Sequence, residues 1–226
     1  LGDVENDRWV ELLPDSNSVI QLEKMPQPQG WSANKIQALP TTHTIPSCGW
    51  HFSSKAKKGK FDRLRAAELK LTEAQRAGLA RGEDQTLDDG KILSADEFRA
   101  PDSGIINVVL SGDTSEMAKG ITSLEHCNVL VHESTFLEDW SEQAINYLHS
   151  TASGAARTAI SSGAKHLVLT HFGARIKGTE ELLSQAQEQL ADSSISLSAA
   201  SDGDRIQVSN SGKVTHHYWA EQGWSN

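Results

Sequence analysis

Three short runs hold the side chains most able to do chemistry: Ser111-Gly112-Asp113-Thr114, His132-Glu133-Ser134-Thr135 and Thr170-His171-Phe172. Each directly follows an apolar stretch: Ile105–Leu110, Val129–Val131 and His166–Leu169. Carboxylates mixed with imidazoles suit zinc and similar ions. Their O and N donors bind at about 2.0–2.2 Å, and one aspartate can offer its two oxygens to two metals. Each run also has a plainer reading. Asp113, beside Thr114, is placed to cap a following helix, and His171 can be a satisfied core histidine holding a loop. Three such runs behind three apolar stretches favour a shared chemical role.

The elements that must position these runs alternate in type from residue 105 onward. Ile105–Leu110, Val129–Val131 and His166–Leu169 read as buried strands. Ser115–Leu124, with a serine cap and Glu116 in its first turn, reads as a helix. So do Ser150–Ser162, whose alanines allow close packing and which Gly163 stops, and Thr179–Leu190. From Ser196 the chain reads as three short strands with turns at Asp202-Gly203 and Ser211-Gly212. The alternation predicts a layered α/β sheet with helices outside. In such sheets ligands sit beyond the carboxyl ends of strands, so the three runs are expected to converge on one cleft.

The first hundred residues are less regular. Ser18–Lys24, Lys35–Leu39 and Cys48–Ser53 read as strands, the last two separated by a turn at Ile45-Pro46-Ser47. Lys55–Lys60 is basic and reads as a solvated loop. Phe61–Leu71 and Glu73–Ala80 read as short amphipathic helices, and Thr86–Phe98 as a small hairpin around Asp88-Asp89-Gly90.

Composition bounds the function. The chain has 226 residues and a net charge of −9, which argues against broad nonspecific nucleic-acid binding. No apolar run approaches the roughly 20 residues of a membrane helix, so no membrane role is expected. Two cysteines without a CxxC pair read as reduced thiols in a cytoplasmic protein. Trp140 reads as a core residue.

Taken in order, Ser111–Thr114, His132–Thr135, His149-Ser150-Thr151-Ala152 and Leu169-Thr170-His171-Phe172 resemble the ribonuclease Z family. So does Thr42-His43-Thr44-Ile45-Pro46-Ser47-Cys48-Gly49-Trp50 upstream, and the likeness runs from about residue 35 to about residue 206. The resemblance implies an α/β fold, a metallo-β-lactamase-type αββα sandwich whose N-terminal portion is missing here. Residues 1–226 would form a single partial domain, with 55–100 as a family-type insert. It also implies a dinuclear zinc enzyme that cuts precursor tRNA beyond the discriminator base.

Carried over residue by residue, His43 and His171 would each ligate a zinc and Asp113 would bridge both. Glu133 and His149 would form the proton relay, with Ser150, Thr151 and Arg175 contacting the RNA. The family's His-x-His-x-Asp-His string occurs nowhere among the nine histidines. The chain alone is therefore expected to be weakly active or inactive, and to need a homodimer partner or a missing N-terminal part. Asn128, Gly173 and Ile176 stand where the family usually has Asp, Ser and Tyr. Two further readings follow from the missing string: a non-catalytic subunit that reuses the half-fold, or a related phosphodiesterase with a small substrate.

Overall fold

The computed structural model describes residues 2–13, 18–220 and 223–225. In chain order the elements are β1 (Gly2–Asp3), β2 (Arg8–Leu12), β3 (Val19–Leu22), β4 (Asn34–Pro40), β5 (Cys48–Ser54), α1 (Arg63–Glu68), α2 (Glu73–Arg81), β6 (Gln85–Thr86), β7 (Ile92–Leu93), β8 (Asn107–Leu110), α3 (Lys119–Thr122), β9 (Val129–Glu133), α4 (Ser141–Tyr147), α5 (Ala152–Ser161), β10 (His166–Thr170), α6 (Glu180–Gln189), β11 (Ser196–Ala199), β12 (Arg205–Val208), β13 (Val214–Ala220) and β14 (Gly223–Ser225). They divide into two compact units, one of Leu1–Lys55 with Ile105–Asn226 and one of Ala56–Gly104.

The first unit is built on a six-stranded sheet in the order β11-β10-β9-β8-β5-β4. β8, β9, β10 and β11 run parallel, while β5 is antiparallel to both β8 and β4. Val and Leu dominate β8, β9 and β10, as burial on both faces requires. One face buries Val109, Leu130, Leu167 and Leu169 against Ala155, Ala156 and Ala159 of α5 and against Leu182 and Ala186 of α6. A fully buried leucine contributes about 1.5–3 kcal/mol, so this contact is the main stabiliser of the unit. On the other face, Ser198 of β11 is hydrogen-bonded to His216 of β13 at 2.9 Å. The β12-β13-β14 sheet therefore lies against the main sheet, giving a helix–sheet–sheet order, three of the four expected layers.

This topology brings the site together. β8, β9 and β10 are adjacent and parallel, so the runs that follow them leave the same edge side by side. β5 is antiparallel to β8, with Trp50 opposite Leu110. The β4–β5 loop that carries His43 therefore reaches that edge too.

Most strand and helix expectations hold; β1 and β2 were not expected, the tail adds β14 to the three expected strands, and two further places differ. Ser115–Leu124 was expected as one helix, but only Lys119–Thr122 is helical. The preceding residues are tied elsewhere: Ser115 N–H donates to Thr42 O at 2.9 Å, and Thr42 N–H to Thr114 Oγ1 at 3.0 Å. Met117 then adopts a left-handed φ of 57°. Glu116, expected in a first helical turn, instead pairs with Arg157 at 2.6 Å. The second difference is α4, which the sequence pattern did not mark. It ends at Leu148 with φ 53°, and His149 follows that turn.

The second unit packs Ala66, Leu71, Leu79, Leu93, Ala95 and Phe98 into a small core of its own. Its helix α2 opens on a capping box, Thr72 with Gln75. The expected hairpin is the β6–β7 pair. In the basic run Lys57, Lys58 and Lys60 are exposed, and Lys58 pairs with Asp102 at 3.3 Å. Among the described residues no helix is long and apolar enough to cross a membrane.

Candidate metal and proton-relay site

Glu133, the last residue of β9, is 1% exposed and is the hub of the site. Its Oε1 accepts from Thr114 N–H at 3.0 Å and from His149 Nδ1–H at 2.6 Å. Its Oε2 accepts from Thr135 N–H at 3.1 Å, Thr135 Oγ1–H at 2.7 Å and Ser150 N–H at 3.1 Å. Five donors on a buried carboxylate meet the demand that buried polar groups be paired. They come from the loops after β8 and β9 and from the start of α5, so one side chain ties three segments together.

The Glu133 bond fixes the proton of His149 on Nδ1 and leaves Nε2 for the cleft. Burial and a carboxylate partner are what set an imidazole's tautomer and orientation. The His149 side chain is 16% exposed. Its ring lies between His43, 4.7 Å away between centroids, and His171, 5.5 Å away and nearly parallel.

Asp113 is placed by the close approach of two loops. Ser47 Oγ donates to Asp113 O at 2.9 Å. Gly112 has φ 62°, and a Cβ there would lie 2.8 Å from Cys48 O, so only glycine permits the approach. Asp113 caps no helix, which removes its plainer reading. Its Oδ1 lies 3.5 Å from His171 Nε2.

The two outer histidines are set the same way. His43 Nδ1–H donates to Leu148 O at 3.1 Å, which frees Nε2. His171, in a left-handed conformation with φ 54°, has Nδ1 2.9 Å from Thr135 Oγ1. The Thr135 hydroxyl proton is committed to Glu133, so Thr135 accepts from His171 Nδ1–H and leaves Nε2 free toward Asp113. His171 is about half exposed, which removes its reading as a buried core histidine.

These residues fit a metal in kind. Donor atoms of His43, Asp113 and His149 lie within 4.8 Å of one another, as do those of Glu133, His149 and His171. Both outer imidazoles have the outward hydrogen bond that orients metal-binding histidines. His132 takes no part. It is fully buried, its Nδ1–H donates to Glu133 O at 2.7 Å, and burial pushes its pKa down.

The remaining expected residues divide. Ser150 and Thr151 are buried with their donors turned inward. Ser150 N–H serves Glu133, Ser150 Oγ donates to Thr151 O at 3.0 Å, and Thr151 Oγ1 donates to Glu138 Oε2 at 2.6 Å. Thr151 Oγ1 also accepts from Gly154 N–H at 2.9 Å, capping α5. These groups hold the relay in place, and the side chains have no donor to spare for a phosphate. Arg175 is exposed, its guanidinium 4.8 Å from the centre of the Trp140 ring. Gly173, where a serine is usual in the resembling family, could not carry a Cβ without meeting Thr135 O at 2.5 Å.

Sequence reasoning missed Thr135, which couples Glu133 to His171. Its one signal is a hydroxyl two residues beyond the glutamate, and that is weak. Thr135→Val keeps the shape and removes the coupling. We expect it to lower metal affinity about 10–100-fold, the usual cost of losing an outer-shell partner, with Thr135→Ser restoring most of it. Calorimetric zinc titration of the three proteins checks this, and equal affinities would contradict it.

No family model matches the chain. Ribonuclease Z of Myxococcus xanthus is 36% identical over 157 residues, covering 68% of this chain and 51% of that protein. Ribonuclease Z of a Synechococcus strain is 33% identical over 141 residues (62% and 45%). That of Halobacterium salinarum is 34% identical over 145 residues (64% and 47%). Among solved structures, a metallo-β-lactamase fold protein of Bacillus subtilis overlaps 78% of this chain and 51% of its own, at 18% identity and a TM-score of 0.48. The short form of human tRNase Z overlaps 88% and 46%, at 18% identity and a TM-score of 0.41. The chain spans about half the length of the curated relatives it matches. Over that span it is a ribonuclease Z-like chain.

Proposed function

We propose that this chain supplies the proton-donating side of a zinc-dependent endoribonuclease of metallo-β-lactamase type, which cuts precursor tRNA at its 3′ end by phosphodiester hydrolysis. The Glu133–His149 pair carries the reading. A buried carboxylate holds one imidazole nitrogen at 2.6 Å and leaves the other to face the cluster formed by His43, Asp113 and His171. This is the arrangement of a general acid that protonates a departing oxygen. His43, Asp113 and His171 would hold the zinc, which when bound polarises a phosphoryl oxygen and lowers the pKa of a bound water. His149 Nε2–H then donates to the 3′ oxygen as it leaves. Glu133 stabilises the imidazolium before transfer and keeps the Nδ1 proton on the neutral ring after it, and Thr114, Thr135 and Ser150 hold Glu133 still.

Three protein donors shared by two ions fall short of the four-coordinate norm of zinc sites. Zinc bound by this chain is therefore expected to be weak, and cleavage of a precursor tRNA bearing a 3′ trailer slow but located at the trailer junction. The deciding measurement is cleavage of that RNA and of bis(p-nitrophenyl) phosphate across a zinc titration. Hydrolysis of the small ester alone would identify a small-substrate phosphodiesterase. No hydrolysis of either at saturating zinc would remove the reading that this chain cleaves on its own.

A further inference from the structure

Beside the relay lies a cavity of about 490 Å³, within the ~300–1,000 Å³ usual for small-ligand sites. Phe136, Trp140, Tyr147, Gln143 and Arg175 form its working walls, and Thr135 borders it on the relay side. Phe136 and Tyr147 are nearly parallel, 6.4 Å apart between centroids, and Trp140 is 6.4 Å from Phe136 at 40°. Trp140, expected in the core, is only partly buried and lies beneath the Arg175 guanidinium.

Three properties select the occupant. The walls offer aromatic faces and a cation, and no carboxylate lines them, although the chain as a whole is acidic. Tyr147, Gln143 and Arg175 are exposed, so these groups are open to a ligand. Gln143 offers an amide that both donates and accepts, as the edge of a nucleobase requires. The cavity also adjoins the relay through Thr135 and Phe136. The Phe136 ring sits 6.2 Å from that of His149, and Thr135 is bonded to both Glu133 and His171.

We infer that this cavity receives an unpaired nucleobase, stacked on Trp140 after the Arg175 guanidinium, which covers that ring at 4.8 Å, moves aside to lie over the base. Splayed single-stranded bases are recognised by stacking on aromatic rings and guanidinium planes and by hydrogen bonds to their edges. Placing that base next to the scissile phosphate rests on the endoribonuclease reading above. The cavity's preference for a nucleobase stands on its lining alone.

The test uses AMP and ribose 5-phosphate as probes, titrated calorimetrically into the wild type and into Trp140→Leu and Trp140→Phe. AMP is expected to bind at least 10-fold more tightly than ribose 5-phosphate. Trp140→Leu should weaken AMP binding by about 5–150-fold, the fold-change equivalent of one base stack, and Trp140→Phe should recover most of it. If Trp140→Leu does not fold, saturation-transfer NMR on the wild type reads the same contact. The adenine H2 and H8 should receive saturation from aromatic ring protons well above that of the ribose. Equal affinity for the two probes, unchanged AMP binding in Trp140→Leu, or saturation confined to the ribose overturns the inference. Precursor tRNA cleavage on the same samples separates the two claims. Trp140-dependent AMP binding in a protein that cuts no tRNA leaves the cavity standing and removes the endoribonuclease reading. Cleavage without AMP preference does the reverse.

Discussion

His149→Ala is expected to lower precursor tRNA cleavage by about 10²–10⁴-fold, the usual contribution of a positioned general acid, with KM little changed. The same ring stands among the donor atoms of His43 and Asp113, so a ligand role predicts a different result. Loss of a ligand would weaken zinc, whereas loss of a proton donor leaves zinc affinity where it was. Zinc titration of His149→Ala alongside its rate constant decides between them, and a parallel fall in both would remove the general-acid assignment. Glu133→Gln differs in kind. An amide in place of the carboxylate presents an NH₂ to donors now aimed at an oxygen: two if it replaces Oε1, three if it replaces Oε2. Each buried group left unpaired costs about 1–3 kcal/mol. The variant should therefore be both slow and less stable, while His149→Ala, at the rim of the cleft, should be slow and nearly as stable. Because the two residues act as one unit, the double variant should cleave no more slowly than the slower single one. Additive rate losses would show that Glu133 and His149 act separately.

Much of this was legible in the chain because the chemistry sits where periodic patterns end. Val108–Leu110, Val129–Val131 and Leu167–Leu169 are uninterrupted apolar runs. Once they are parallel neighbours, Asp113, Glu133 and His171 must leave the same edge. His149 was legible from its motif, but its placement depends on α4 and the left-handed turn at Leu148, and no spacing marks either. The helix expected over Ser115–Leu124 failed for a tertiary reason. Its first residues carry good helix signals, yet hydrogen bonds with Thr42 outweigh a marginal local preference. Ser150 and Thr151 were correctly placed at a helix start, but it takes the fold to bring Glu133 and Glu138 onto the Ser150 N–H and the Thr151 hydroxyl. Thr135, Trp140 and the C-terminal histidines depend on contacts between distant segments, which one-dimensional patterns do not encode.

The most distant of these contacts lies beneath the other face of the sheet, and Asp204→Ala is expected to damage it severely. Asp204 Oδ2 accepts from His216 Nε2–H at 2.9 Å and from Ser201 N–H at 2.9 Å, and Oδ1 accepts from Trp219 N–H at 2.8 Å. His216 Nδ1 meets Ser198 Oγ at 2.9 Å, and Ser198 Oγ meets His166 Nε2 at 2.9 Å. The Asp204 and His216 side chains are each 5% exposed. This chain of bonds joins β10, β11 and β13 across the two sheets. Removing the carboxylate leaves a buried imidazole nitrogen unpaired, at about 1–3 kcal/mol. At about 2–4 °C per kcal/mol for a chain of this size, the thermal midpoint should fall by several degrees. The network also sets an acid limit. Burial, with His216 nearby, pushes the His166 pKa down, so the folded protein keeps that ring neutral. The stability this confers is complete above the unfolded value near 6.5 and declines as pH falls below it. Burial opposes ionisation of Asp204, but hydrogen bonds from Trp219, Ser201 and His216 outweigh it and lower its pKa. Its contribution persists above the unfolded value near 3.9 and is lost as pH falls through the folded one. Thermal midpoints measured by circular dichroism from pH 7.5 to pH 3 should therefore drop in two stages. His166→Asn should blunt the first stage and Asp204→Asn the second. A midpoint independent of pH between 7 and 5 would mean that His166 does not stay neutral in the folded protein, and that the link between the two sheets contributes nothing to this acid limit.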